Sequence, residues 1–195
     1  MIELVTNLHI HTRYSDGTDI HQNIAKIAHE AGLDVLIFTD HNVLVRGIDP
    51  YYEKDGRRLL IIVGQEVHDP ARDPQKSHLL IIGCDKDLAP YGRNPQKVID
   101  QANMNGGLSF LAHTHEQALP MFHQTDITWE DWQVEGYTGI ELWNGFSEIK
   151  EVVHNYLDGL FYTLFPQYIA TAPPRDAIKK WDALLNDGMR LVAVG

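Results

Sequence analysis

A disulfide framework is excluded at once, because the chain has a single cysteine, Cys84, placed in an apolar run that reads as a buried strand. The same scarcity removes every CxxC zinc or redox motif and fits a reducing compartment. No stretch approaches the roughly 18 apolar residues of a membrane span, and the opening MIELVTNLHIH has neither the basic leader nor the apolar core of a signal peptide, so a cytoplasmic location is expected. Positive charge is short too. Lys and Arg number 16 against 27 Asp and Glu, a formal net charge of -11, and such a field repels phosphate backbones and anionic lipid. The signatures GxSxG, GxxxxGK[ST] and GxGxxG are all absent, which leaves triad hydrolases, P-loop NTPases and Rossmann dehydrogenases without support. What the sequence has in plenty is histidine, 11 residues in 195. A metal held by this chain is therefore held by imidazole and carboxylate.

Length and an ordinary 44% hydrophobic content suit one domain, residues 1–195. Seven apolar runs, at 2–10, 35–39, 59–63, 78–84, 108–112, 139–143 and 190–194, alternate with segments of helical period, the pattern of a parallel sheet wrapped by helices. Ile20, Ile24, Ile27, Ala28 and Ala31 share one helical face, with Asp19 and Gln22 at capping-box spacing and Gly32 as a stop. Further helices are expected from Pro95 to Asn105, from Ser147 through Leu160, and from Pro174 to Gly188. With no linker or repeat, the pattern favours one closed or distorted α/β barrel. The stretches 43–58 and 116–136 lack a period, and loops of that length are usually functional.

In such a barrel the chemistry gathers at the carboxyl ends of the strands. The first run closes on His9-Ile10-His11, whose imidazoles at i and i+2 project from one face. The second closes on Asp40-His41, the third on Glu66 and the fifth on His113-Thr114-His115, while His78 opens the fourth. A lone histidine is usually a satisfied polar residue, but this coincidence at successive strand ends points to a metal site. Imidazoles with few carboxylates suit Zn, Mn or Fe better than Mg or Ca, and more than four ligands imply more than one metal.

The segments HIHTRYSDGT (9–18), GLDVLIFTDHN (32–42), GQE (64–66), SHLLIIG (77–83) and LAHTH (111–115) resemble, in order and spacing, the PHP (polymerase and histidinol phosphatase) metal-dependent phosphoesterases. GIELWNG (139–145) looks like the subgroup that includes a carbaryl hydrolase. The resemblance implies a distorted seven-stranded TIM-like (β/α) barrel holding two or three divalent metals, with His9, His11, Asp16, His41, Glu66, His78 and His113 as ligands and Glu66 bridging. It also makes Asp40 the partner that accepts the other ring N–H of His41. His115 stands where the family often has proline, as an extra ligand, a substrate contact or a plain polar residue. The family closes its site with Gly-Ser-Asp-x-His after the last strand, whereas this chain stops at Gly195, so a version truncated after the seventh strand is expected.

Clustered divalent metals acidify a water and neutralise charge growing on a phosphoryl oxygen, so no side-chain nucleophile is needed. The leading expectation is a hydrolase of small-molecule phosphomonoesters or phosphodiesters, without a nucleic-acid or membrane partner. An amide, ester or carbamate hydrolase is the alternative, and a non-catalytic binding module the third reading. Arg13 is either a phosphate clamp or a solvated loop charge. His21, His29 and His154 read as surface or cap residues, and His68 and His123 as loop residues, either unassigned or within reach of substrate. Trp129, Trp132 and Trp143 form either a lid or apolar pocket wall, or ordinary packing.

Overall fold

All four residues of the VLIF run are buried, as expected of a strand covered on both faces of a parallel sheet. The computed structural model describes residues 3–169 and 172–195. They fall into two compact units, one made of the residues up to His68 with Leu79–Ser109, the other of Asp69–His78 with Phe110–Gly195.

In the first unit, β1 (Thr6–Ile10), β2 (Val35–Phe38) and β4 (Arg57–Val63) run parallel, and β3 (Tyr51–Lys54) turns back antiparallel on β4. Helix α1 (His21–Glu30) covers this sheet. Ala25, Ala28, Leu36, Phe38, Leu59 and Ile61 form the core, with Ile10, Ile24, Leu33, Ile48 and Tyr52 packed around it. The buried face of α1 is His21, Ala25, Ala28 and His29, while Ile27, expected on that face, is 61% exposed. Counting His21 and His29 as surface residues turned the expected face about the helix axis. Nor does Asp19 close a capping box: the N-cap is Ile20, and the Asp19 carboxylate accepts from the Ile20 N–H and Asn23 Nδ2 instead. Helix α2 (Pro95–Met104) forms as expected, buries Val98, Ile99 and Ala102, and is capped by Asn94, which accepts the Lys97 N–H.

Strand β4 does not run on into Glu66. It stops at Gly64, and β5 (Gln65–Val67) pairs antiparallel with β6 (Leu79–Ile82). Gly64 allows the break because its N–H donates to Phe38 O at 2.7 Å, while a Cβ there would run into the Ile81 carbonyl oxygen.

In the second unit, Phe110 and Leu111 of β7 (Leu108–Leu111) pair in parallel with β8 (Gly139–Glu141), which pairs in parallel with β9 (Val192–Val194). Helices α3 (Gly145–Val152), α4 (Tyr156–Leu164) and α5 (Arg175–Asn186) follow. The single helix expected from Ser147 is two, because Asn155 leaves helical geometry and caps α4 through the N–H groups of Leu157 and Asp158. All seven expected runs contain a strand, yet they do not close into a barrel: β1 and β3 end one sheet and β9 ends another. With β2 on one side of β4 and β3 on the other, the first sheet has no free edge at β4 to continue through. No helix among the described residues is long and apolar enough to cross a membrane.

Gly64→Ala should cost about 1–3 kcal/mol as an overpacked contact, or roughly 2–4 °C of thermal midpoint per kcal/mol for a chain of this size. Urea and thermal unfolding check this, and an unchanged midpoint would mean that β5 yields without cost.

Candidate metal centre

Glu66 is completely buried and fixed through its backbone before its side chain does anything. Its N–H donates to Asp40 O at 3.1 Å, and its carbonyl accepts the Asn42 N–H at 2.8 Å. His41 and Glu66 thus face each other across a parallel bridge. His9 on β1 and His11 just beyond its end turn to the same side, their ring centroids 5.0 Å apart, and His11 stacks on His41 at 4.4 Å.

Three imidazole nitrogens then gather on one oxygen. His9 Nε2 lies 3.0 Å, His11 Nε2 3.1 Å and His41 Nδ1 3.3 Å from Glu66 Oε2. Two ligand atoms each about 2.1 Å from one ion, at angles of roughly 90–109°, stand about 3.0–3.4 Å apart, a range that these separations share with N–H···O hydrogen bonds. Asp16 approaches from the exposed side, with Oδ1 3.4 Å from His11 Nδ1 and Oδ2 3.7 Å from His41 Nε2. The ligand atoms of His9, His11 and Glu66 lie within 4.8 Å of one another, as do those of His11, Asp16 and His41. His11 belongs to both groups, and a neutral imidazole has one lone pair to give. The donor set is nitrogen-rich with two carboxylates, a set able to hold a metal ion.

Asp40 does something other than orient the ring of His41. It accepts the Thr12 N–H at 2.6 Å, the Thr12 hydroxyl at 2.8 Å and the Ser15 hydroxyl at 2.8 Å. Neighbouring residues of an extended segment point to opposite sides, so Asp40 turns away from His41 and instead pins the turn that carries Asp16. Arg13 sits exposed on that turn. His21 is buried against Phe38 at 4.4 Å, 3.8 Å from Asp40, and His29 is buried with Nε2 3.1 Å from Arg57 O; neither is the surface or cap residue expected. His68 is also buried, with its ring edge-on to His41 at 5.1 Å. Its position two residues beyond Glu66 on β5 was the available signal, since i and i+2 share a face.

In the second unit, His78 and His113 pack their rings 4.9 Å apart, and the Ala112 N–H donates to His78 O at 3.0 Å. Both are buried. His113 has φ 29°, a left-handed backbone that costs a residue other than glycine about 1–3 kcal/mol. Its N–H donates to Glu141 Oε2 at 2.6 Å, and Glu116 Oε2 lies 4.0 Å from its Nδ1. Glu116 in turn is buried against Lys150, at 2.6 Å, and Ser147, at 2.8 Å. Sequence reasoning missed Glu116, Glu141 and Lys150, whose charges at buried positions have no periodic signature.

His115 is half buried, with its Nδ1 enclosed and without a hydrogen-bond partner. Burial pushes its pKa down, Lys180 adds to that, and Asp176 opposes it. Trp129 is core, not a lid. Trp132 packs against it and carries Lys180 4.1 Å over its ring, while Trp143 Nε1 donates to Glu148 at 2.7 Å. His123 and His154 are exposed.

The model of the PHP domain matches residues 7–173. The chain belongs to the PHP family. Among relatives, an uncharacterized protein of Methanocaldococcus jannaschii is 25% identical over 120 residues, 56% of this chain and 67% of its own length. Among solved structures, a two-domain protein from Bacteroides vulgatus containing a predicted PHP-like metal-dependent phosphoesterase is 18% identical at a TM-score of 0.48, covering 71% of this chain and 44% of the other. The lesion-specific endonuclease Q of Pyrococcus furiosus is 17% identical at 0.42, covering 75% of this chain and 44% of the other. The PHP chain thus spans less than half the length of these two structures.

Burial lowers the pKa of His21 in the folded chain, with Asp40 opposing the shift. The folded PHP domain therefore binds fewer protons at His21 than the unfolded chain does, and stability is lost as pH falls below about 6.5. His21→Gln should lose less stability than the wild type between pH 7.5 and 5.5 in urea unfolding. Equal losses would place the acid sensitivity elsewhere.

Proposed function

We propose that this PHP domain is a metal-dependent phosphoesterase that hydrolyses a small-molecule phosphomonoester or phosphodiester. The observation that carries this reading is the convergence of His9, His11 and His41 on a single oxygen of the buried Glu66. We assign His9, His11, Asp16, His41 and Glu66 in the first unit, and His78 and His113 in the second, as ligands for two or three Zn, Mn or Fe ions per chain. When bound, such ions acidify the attacking water and neutralise charge on the phosphoryl oxygens.

The chain's own residues do the rest. Glu66 supplies a negative charge that burial prevents water from screening. Asp16, 68% exposed at its side chain, offers a second carboxylate from the solvent side. The bonds from Thr12 and Ser15 to Asp40 hold the turn that presents it, and His68 braces the plane of His41. Arg13, exposed on the same turn, is placed to steady a phosphate oxygen. The net charge of -11 favours a small substrate over a nucleic-acid backbone, because the metals attract one phosphate locally while the remaining surface repels a polyanion.

Elemental analysis with a substrate panel tests this. Aryl phosphate mono- and diesters should be cleaved by the metal-loaded protein and spared after chelation. Cleavage of only carbamates, only esters or only abasic-site DNA would overturn the substrate assignment. Glu66→Gln should keep the fold, lower bound metal per chain and slow hydrolysis by at least about 10- to 100-fold, the loss expected from removing even a supporting partner of a ligand. Unchanged metal content would show that Glu66 is no ligand.

A further inference from the structure

His113 holds a backbone conformation that a side chain larger than glycine's resists, and one carboxylate stands against the atom that sets it. Glu141 ends β8 and is buried. Its Oε2 accepts the His113 N–H at 2.6 Å, and its Oε1 accepts from Asn144 Nδ2 at 3.1 Å. Asn144 is itself immobile, since its Oδ1 accepts the N–H groups of Phe146 at 2.9 Å and Ser147 at 3.1 Å and so caps α3. The chain between them is tied down where the Leu142 N–H donates to Val194 O at 2.8 Å.

We propose that Glu141 is a positioning residue, which holds His113 in its left-handed backbone geometry and thereby aims the imidazole, with Asn144 locking the carboxylate in place. The inference rests on the reading of His113 as a metal ligand. The directions of N–H and Cβ are linked through the torsion about N–Cα, so an N–H fixed in direction at φ 29° leaves the Cβ one direction to take. A hydrogen bond to a carboxylate is roughly twice as strong as a neutral one, which offsets the strain of the left-handed region. This gives the segment GIELWNG a physical purpose: Glu141 and Asn144 are its strand-end acceptor and its helix cap, and both serve His113, 28 residues before Glu141.

The two acceptor oxygens make a polarity-swap test possible. Glu141→Gln turns one oxygen into an NH2 group, so either the His113 N–H or the Asn144 amide must face a donor. Adding Asn144→Asp restores both bonds with one reversed, because the Gln amide then donates to position 144 while its oxygen accepts from His113, and the cap of α3 is kept. Metal affinity is read by calorimetric titration with Mn2+ or Zn2+, and the His113 amide by its proton shift and exchange rate in metal-free protein. Glu141→Gln should weaken metal binding by about 10- to 100-fold, move the amide signal upfield and speed its exchange, and the double variant should recover most of the affinity. Should Glu141→Gln fail to fold, Asn144→Ser, which keeps a cap oxygen but removes the longer amide that donates to Glu141, should weaken binding several-fold. Wild-type affinity and an unchanged amide in Glu141→Gln, alongside weakened binding by His113→Ala, overturn the inference alone. So does a loss that the double variant fails to recover, which would mark Glu141 as merely structural. Unchanged affinity in His113→Ala overturns the ligand reading, and the inference with it.

Discussion

A carboxylate with no exposure to water is the constraint around which the first unit is built. Isolated in a core, the charge of Glu66 would be intolerable, and the chain answers by bringing three imidazole nitrogens to within 3.3 Å of one of its oxygens. The backbone is arranged to make this possible. Gly64 follows β4 so that β5 can begin, the N–H and C=O of Glu66 are taken up by Asp40 and Asn42, and the end of β1 turns His9 and His11 inward together. Imidazoles crowded on a carboxylate are nevertheless an incomplete solution, since the stacked rings of His11 and His41 repel one another if both are protonated. A divalent cation resolves the crowding by taking lone pairs from neutral rings and the charge from the carboxylate together.

The histidines of the second unit, His78 and His113, are supported by different means. A loop carrying acidic residues is fastened to the segment before His78: Arg72 pairs with Glu130 at 2.6 Å and Asp131 at 2.8 Å, Lys76 pairs with Glu130 at 2.7 Å, and the Ser77 hydroxyl accepts the N–H groups of Glu130 and Asp131. The partly exposed pairs contribute little stability singly, but together they fix where the segment runs. The Glu116–Lys150 pair is of another kind, both side chains nearly fully buried. Apolar residues of similar volume often serve stability as well as such a pair or better, so its value lies in placement: it ties α3 to the loop that begins beside His113.

Much of the fold was legible. Seven strands lie in the seven apolar runs, α2 begins at its Pro and ends before its glycines, and α5 follows Pro174. The departures have local causes. Strand β3, the YYEK run, is exposed along most of its length and carries no apolar alternation to announce it. The helix after Ser147 broke because the cap at Asn155 outweighed an apolar pattern that continued through it. The face of α1 was misplaced because His21 and His29 are buried, one edge-on to Phe38 and the other bonded to a carbonyl, while Ile27 is left in solvent.

By itself the sequence marked the imidazoles and carboxylates able to hold a metal and their grouping in the first unit. His-x-His at a strand end presents two rings to one side, and Asp40-His41 follows the neighbouring parallel strand β2, while Glu66 reaches them from β5 across the bridge to His41. Only the tertiary structure decided what the neighbours of those residues do. It sent Asp40 to the turn of Thr12 and Ser15, put His68 against His41, and set Glu141 on the N–H of His113. The physical reason is range. Periodicity and strand alternation act over a few residues and are written in the chain, whereas a buried polar group is paired by whatever donor or acceptor the packing brings within about 3 Å. Residues 28 positions apart in sequence carry no mark of that pairing until the fold has formed.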